Sequence, residues 1–123
     1  FPADEQAQIR PMLAECLQAI VSQLLCRKKN GGRVAVHETL LWADGLPNTI
    51  REGQIANIRT IIDSSGGRGM RSMDNSIQEQ LNAGYITAEE AYMKASDKSR
   101  FLAALEAEEA AAKAAAREDA EQE

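Results

Sequence analysis

Apolar residues recur at steps of three and four near the start of the chain: Ile9, Met12, Leu13, Cys16, Leu17, Ile20, Val21 and Leu24. That spacing puts them on one stripe and predicts a long amphipathic helix reaching about Gln23. Pro11 lies inside the pattern. Either the regular helix starts near Arg10 with Pro11 in its first turn and residues 3–9 as a looser turn, or the helix kinks there; the first option is preferred. After Gln23 the period shortens to two. Leu24–Arg27 and Arg33–Trp42 read as the strands of a β-hairpin, and Asn30-Gly31-Gly32 supplies the positive-φ residues its turn needs. Along the second strand Val34, Val36, Leu40 and Trp42 share one face, which Glu38 interrupts. A carboxylate aimed at a core needs a partner. Glu38 is therefore a candidate supporting residue, paired with an arginine, or a coupling element.

From Asp44 onward the pattern predicts short helices. Pro47 suits the first position of one that Gly53 closes. Ile55, Ile58, Ile61 and Ile62 form the inner face of the next, which Ser64-Ser65-Gly66-Gly67 stops. Ser72 can cap a helix through about Ala83, with Met73, Ile77 and Leu81 inward, Asp74 at the positive end of its dipole, and Gly84 as terminator. Thr87-Ala88-Glu89-Glu90 has the spacing of a capping box. Asp97 suits the cap of a last helix holding Phe101, Leu102 and Leu105. Beyond Leu105 no large apolar residue follows, so that segment is expected to be a fraying, solvated helix or disordered. The fold expected for these residues is mainly α with one hairpin. A lone hairpin is marginal, so it and the first helix are expected to belong to a larger sheet lying upstream. Stripped of that sheet they would expose apolar surface.

Composition narrows the picture. A chain of 123 residues suffices for one domain with a modest core. It opens on Phe1-Pro2, which reads as an excised piece of a longer protein. No apolar run reaches the length of a membrane span, so no direct membrane insertion is expected. Cys16, on an otherwise apolar face, is expected to be a buried cytosolic thiol. Two cysteines and one histidine make a structural zinc site improbable. The net charge of −5 is uneven: residues 1–105 carry 12 basic and 12 acidic residues, whereas residues 106–123 carry 2 and 7. A neutral body with an acidic tail does not suit nucleic acid, which asks for a concentrated basic surface. Arg27, Lys28, Lys29 and Arg33 form too small a cluster, set around a turn.

Several motifs in order carry a resemblance. They are Phe1-Pro2, the helix from Gln8-Ile9-Arg10 to Gln23-Leu24-Leu25, Gly32-Arg33-Val34-Ala35 with Glu38, and Asn48-Ile50-Arg51-Glu52-Gly53. Ile61-Ile62, Gly69-Met70, Met73-Asp74, Gly84 with Ile86, and Glu90-Ala91 follow. Over more than four fifths of its length the chain resembles the C-terminal portion of the PilT/PilU family, the hexameric ATPases of type IV pilus retraction in bacteria. The resemblance implies an intact protein of α/β class with a RecA-like P-loop core that uses ATP and magnesium. Residues 1–43 would be the terminal helix and hairpin of that core, residues 44–105 a C-terminal helical subdomain, and residues 106–123 an acidic, alanine-rich tail. It also implies neighbouring subunits of a homohexamer and an inner-membrane pilus platform protein as partners, and a cytoplasmic location peripheral to the inner membrane.

The phosphate-binding motif G-x-x-x-x-G-K-S/T does not occur in these residues. Gly66-Gly67-Arg68-Gly69 follows a helix rather than a strand and lacks the lysine. The piece is thus expected to bind no cofactor and hydrolyse no ATP by itself, with the chemistry lying upstream. The family's retraction motif, Ala-Ile-Arg-Asn-Leu-Ile-Arg-Glu, aligns with Gly45 to Glu52. Asn48, Ile50, Arg51 and Glu52 match, whereas Gly45, Leu46, Pro47 and Thr49 depart. These four matching residues are the candidate interaction or transmission residues. Ile50 and Asn48 also have a purely structural reading. Arg51 and Glu52, adjacent in sequence, need separate partners, which are either ordinary ion pairs or a contact surface for a neighbouring subunit or the platform. The alternative to a motor part is a stand-alone helical interaction module of the same ancestry.

Overall fold

The computed structural model describes residues 1–121, the last four by backbone alone. In chain order it contains α1 (Ala3–Cys16), β1 (Ala19–Arg27), β2 (Arg33–Leu41), α2 (Leu46–Arg51), α3 (Ile55–Ser64), a 3₁₀ turn (Gly66–Arg68), α4 (Met73–Asn82), α5 (Ala88–Lys94) and α6 (Ser99–Glu121). The class is mainly α with one two-stranded sheet, β1 beside β2. Gly31 and Gly32 turn the hairpin at φ of 85° and 76°, where a side chain would be strained.

The described residues form two compact units. One takes in residues 1–23 and 37–73, the other residues 24–36 and 74 onward. These divisions cross the hairpin and do not coincide with the expected segments 1–43, 44–105 and 106–123, which refer to places in a longer protein. In the first unit Leu40, Ala43, Leu46, Ile62 and Met70 are buried together, with Leu17, Leu41, Ile50, Ile58 and Ile61 packed against them. In the second unit Cys26, Val36, Ile77, Ile86, Ala91 and Phe101 are fully shielded from water. Burial raises the Cys26 thiol above its ordinary 9.0, and the Glu90 carboxylate adds to the rise while Lys94 opposes it.

The first helix departs most from expectation. It begins at Ala3 rather than near Arg10, holds Pro11 in its interior, and ends at Cys16 rather than Gln23. Ile20, Val21 and Leu24 therefore lie on β1, not on the helical stripe. Pro11 costs the bond its N–H would have given to the Ala7 carbonyl. The stripe misled because steps of three and four also occur by chance where a short helix hands over to a β-branched strand. The shielded side of α1 coincides with the apolar stripe only in part. Gln6, Ile9, Arg10, Pro11 and Ala14 of the helix, and Leu17 just after it, are partly or fully buried, whereas Met12, Leu13 and Cys16 are exposed. The exposure of Cys16 corrects its expected burial.

Other expectations fare better. Gly53 (φ 68°) ends α2, and Gly84 (φ 77°) ends α4. Thr87 caps α5, its hydroxyl accepting from the Glu90 amide at 3.1 Å. Asp97 accepts from the Ser99 amide at 3.2 Å as α6 begins. Two apolar residues differ: Trp42, placed on the inner face of the second strand, is 52% exposed, and Ile55 of α3 is 74% exposed. Both stand at element ends, Trp42 just past β2 and Ile55 at the first position of α3, where the chain turns away from the core. Of the two readings for the segment beyond Leu105, a solvated helix or disorder, the helix is the one seen, with most of residues 106–117 exposed; the rest of the tail's side chains lie outside the described residues.

Candidate functional site

The short helix α2 is set by its two ends. Gly45 stands before it at φ 86°, a left-handed conformation that strongly favours glycine. Pro47 lies in the first turn, where the missing N–H is not needed. Two of the four departures from the family motif, Gly45 and Pro47, therefore suit this helix start. Thr49 is buried, and its hydroxyl donates to the Gly45 carbonyl at 3.0 Å. After Arg51 the chain reverses: the Glu52 amide bonds the Asn48 carbonyl at 2.9 Å, and the Gly53 amide the Ile50 carbonyl at 3.1 Å.

This short turn divides the four candidate residues. Ile50 points into the packing of the first unit. Asn48 and Arg51 are brought together on the outside: Arg51 Nη1 donates to Asn48 Oδ1 at 3.1 Å. The other Arg51 nitrogen lies 3.8 Å from Glu15 Oε1 of α1, with side chains 41% and 71% exposed. At that exposure an ion pair is worth little, about 0–1 kcal/mol. Arg51 is thus oriented by Asn48 and Glu15 yet held in place by little energy. Glu52 is exposed beside it.

Beneath this surface α2 packs on α1. The Arg10 guanidinium lies against Gly53 so closely that a Cβ there would sit 2.9 Å from Arg10 Nη1. Arg10 in turn donates to Gln6 Oε1 at 2.9 Å. Sequence reasoning missed Arg10, Gln6 and Glu15 here. The Gln6/Arg10 spacing of one helical turn was the available signal; nothing local links Glu15 to Arg51.

Glu38 serves a different place. Its Oε2 accepts from the Met73 amide at 3.1 Å, at the start of α4. The expected arginine partner is replaced by an unpaired helix-start amide, which suits a carboxylate on both hydrogen-bonding and dipole grounds. Three further carboxylates bond main-chain amides across distance in sequence. Asp74, 2% exposed, accepts from the Ser96 and Asp97 amides at 2.8 and 2.9 Å. Glu90 completes no reciprocal capping box but accepts from the Arg27 amide at 2.9 Å. Glu108 of α6 accepts from the Ala88 amide of α5. These are structural ties, and they give Asp74 a task that its sequence position did not reveal.

Gly66–Gly69 runs from α3 through a 3₁₀ turn toward the Thr39–Arg71 bridge, giving no strand–loop–helix cradle. Among the described residues there is no cluster able to hold a metal ion, and no helix is long and apolar enough to cross a membrane.

No protein-family model matches the chain. The chain is 39% identical over 101 residues to the type IV pilus retraction ATPase PilT of Pseudomonas aeruginosa, a match covering 82% of this chain and 29% of that protein. It is 40% identical over 96 residues to a twitching motility protein of Neisseria gonorrhoeae, covering 77% of this chain and 26% of the relative. Its structure superposes on a crystal structure of the pilus retraction motor PilT with bound ADP at a TM-score of 0.68 and 30% identity, over 81% of this chain and 27% of the motor. The chain thus spans between a quarter and a third of the length of the relatives it matches. In sequence and in fold it is a homologue of one segment of the PilT/PilU pilus retraction ATPases.

Proposed function

We infer that the chain is the C-terminal part of a motor subunit that powers type IV pilus retraction, acting within a homohexamer on the cytoplasmic side of the inner membrane. The intact protein binds ATP with magnesium and hydrolyses it; the residues described here perform no step of that chemistry. Their task is mechanical. Nucleotide-driven motion passes through the packing of α1 on α2 to the outer surface of α2, where Asn48, Arg51 and Glu52 meet a neighbouring subunit or the pilus platform protein.

The observation that carries this reading is the state of Arg51. It is aimed by Asn48 and Glu15 but anchored by neither strongly enough to make it a stability element. A cation kept in place and left accessible is suited to an intermolecular contact, where a bidentate carboxylate partner adds direction as well as attraction. Ile50, partly buried below, ties the same turn to the core, so force at Arg51 reaches the helix layer. The division of labour is tested by assaying the 123-residue chain for ATP turnover. The expected rate is that of a protein-free blank; turnover above it would place chemistry here and overturn the proposal.

A further inference from the structure

The tip of the hairpin carries chemistry that the motor reading does not use. Asn30 stands exposed in the turn between β1 and β2, and the residue after it, Gly31, is at φ 85°. No other asparagine of the chain precedes a glycine. A Cβ added at Gly31 or Gly32 would meet nothing within 4 Å, so no side chain screens the Gly31 nitrogen and water reaches it from that side. Its N–H donates to the Lys28 carbonyl at 3.2 Å, an exposed turn bond of the kind that opens locally without unfolding the domain.

The surrounding charge favours reaction at that nitrogen. Arg27, Lys28, Lys29 and Arg33 are all exposed, and no carboxylate lies between positions 27 and 33. Arg27 faces Glu90 at 3.7 Å. An amide nitrogen that loses its proton becomes an anion, and neighbouring cations favour the charged form. The remaining asparagines are placed differently. Asn48, Asn57, Asn75 and Asn82 lie on α2, α3 and α4 and precede Thr49, Ile58, Ser76 and Ala83, whose side chains crowd the nitrogen. The Thr49 and Ala83 amides are also held by the Gly45 and Glu79 carbonyls at 3.0 and 2.9 Å.

We propose that Asn30-Gly31 is a self-modification site, at which Asn30 converts to aspartate and isoaspartate with water as the only co-reactant. The Gly31 nitrogen, its proton taken by solvent base, attacks Asn30 Cγ. A C–N bond forms, the side-chain nitrogen leaves as ammonia with a proton from water, and a cyclic imide closes. Water then adds to either imide carbonyl. Opening at one gives aspartate; opening at the other sends the main chain through Cγ, as isoaspartate. Nothing is oxidised or reduced. Either product adds a negative charge to a chain of net −5 and sets it among the cations of the tip, a change of the kind that re-sorts local ion pairs. Isoaspartate also inserts a methylene into the main chain between Lys28 and Gly32, where the Lys28 N–H donates to the Gly32 carbonyl at 3.1 Å. The site is independent of the motor reading, because every group it uses lies in the turn.

The test is incubation of the 123-residue chain in mildly alkaline buffer, followed by anion-exchange chromatography and peptide mass spectrometry. A growing peak, one charge more acidic, is expected, with ammonia released and conversion confined to the peptide holding Asn30. A protein isoaspartyl methyltransferase should label that peptide. Asn30→Gln, whose longer side chain closes the larger ring poorly, should keep its original charge throughout. Hydrogen exchange at the Lys28 amide should be faster in the isoaspartyl form than in Asn30→Asp, which carries the charge without the added methylene; equal exchange would overturn the change in turn geometry. An unchanged Asn30 peptide over a time in which the urea-unfolded chain converts would overturn the proposal. So would earlier conversion at Asn48, Asn57, Asn75 or Asn82 in the folded chain.

Discussion

Replacing Asp74 with alanine isolates the buried carboxylate that ties α4 to the segment between α5 and α6. Both of its oxygens accept main-chain hydrogen bonds, from Ser96 at 2.8 Å and Asp97 at 2.9 Å. A hydrogen bond to a charged group contributes about 1.5–3 kcal/mol, so the pair sets an upper bound near 6 kcal/mol. Two effects reduce it. Ser96 and Asp97 are exposed, so water can reach their amides once the carboxylate is gone, and the carboxylate itself no longer has to be desolvated. The expected cost is about 3 kcal/mol, a large share of the roughly 5–15 kcal/mol that stabilises a domain. Asp74→Asn keeps one acceptor oxygen but turns an NH2 toward a donor, and should cost about 2 kcal/mol. Urea unfolding followed by circular dichroism measures both losses, and hydrogen exchange at the Ser96 and Asp97 amides localises them. A cost below about 1 kcal/mol, or unchanged exchange at those two amides, would refute the idea that Asp74 fastens this turn.

Four other outcomes are expected. Gly53→Ala should lose about 1–2 kcal/mol from its positive φ, with little added by the Arg10 contact because a flexible side chain can withdraw; combining it with Arg10→Ala in a double-mutant cycle separates the two. Glu108→Ala should lower the melting temperature by removing the acceptor for the Ala88 amide, a loss of about 1 kcal/mol typical of a helix cap. In a thiol-labelling time course Cys16 should react first, because it is exposed while Cys26 is buried with a thiol pushed above 9.0. That same shift has a pH signature. Folded Cys26 keeps its proton where the unfolded chain has lost it, so its contribution is full below the ordinary thiol value and falls as pH rises through and above 9.0; Cys26→Ala should remove that component from the stability curve.

How much of this was legible in the sequence depended on how local the signal was. Turn and cap chemistry read well: Gly31 and Gly32, Pro47, Gly53, Thr87 and Asp97 each act within a few residues of themselves, so their residue types fix their roles. The first helix read poorly because its apolar stripe is only partly its buried face. Arg10 and Ala14 are shielded while Met12, Leu13 and Cys16 stay exposed, a choice made by tertiary packing and invisible to periodicity. The carboxylates were half legible. That Glu38 needed a partner followed from its place on β2, but the partner, an amide 35 residues away, did not. The candidate site divides in the same way: Asn48 and Arg51, three apart on one helix, could be paired from spacing, whereas Glu15 and Arg10 join them only through the fold.

The central claim, that α2 passes motion rather than supporting catalysis, is tested most directly in the full-length protein carrying Arg51→Ala. Because the pair with Glu15 is exposed and weak, folding and nucleotide binding should be untouched. Retraction velocity measured on single pili, alongside ATP affinity and turnover of the same purified variant, gives both quantities. The account predicts a severe loss of retraction with ATP binding close to that of the unmodified protein. Loss of both in equal measure, or retraction at normal speed, would contradict it.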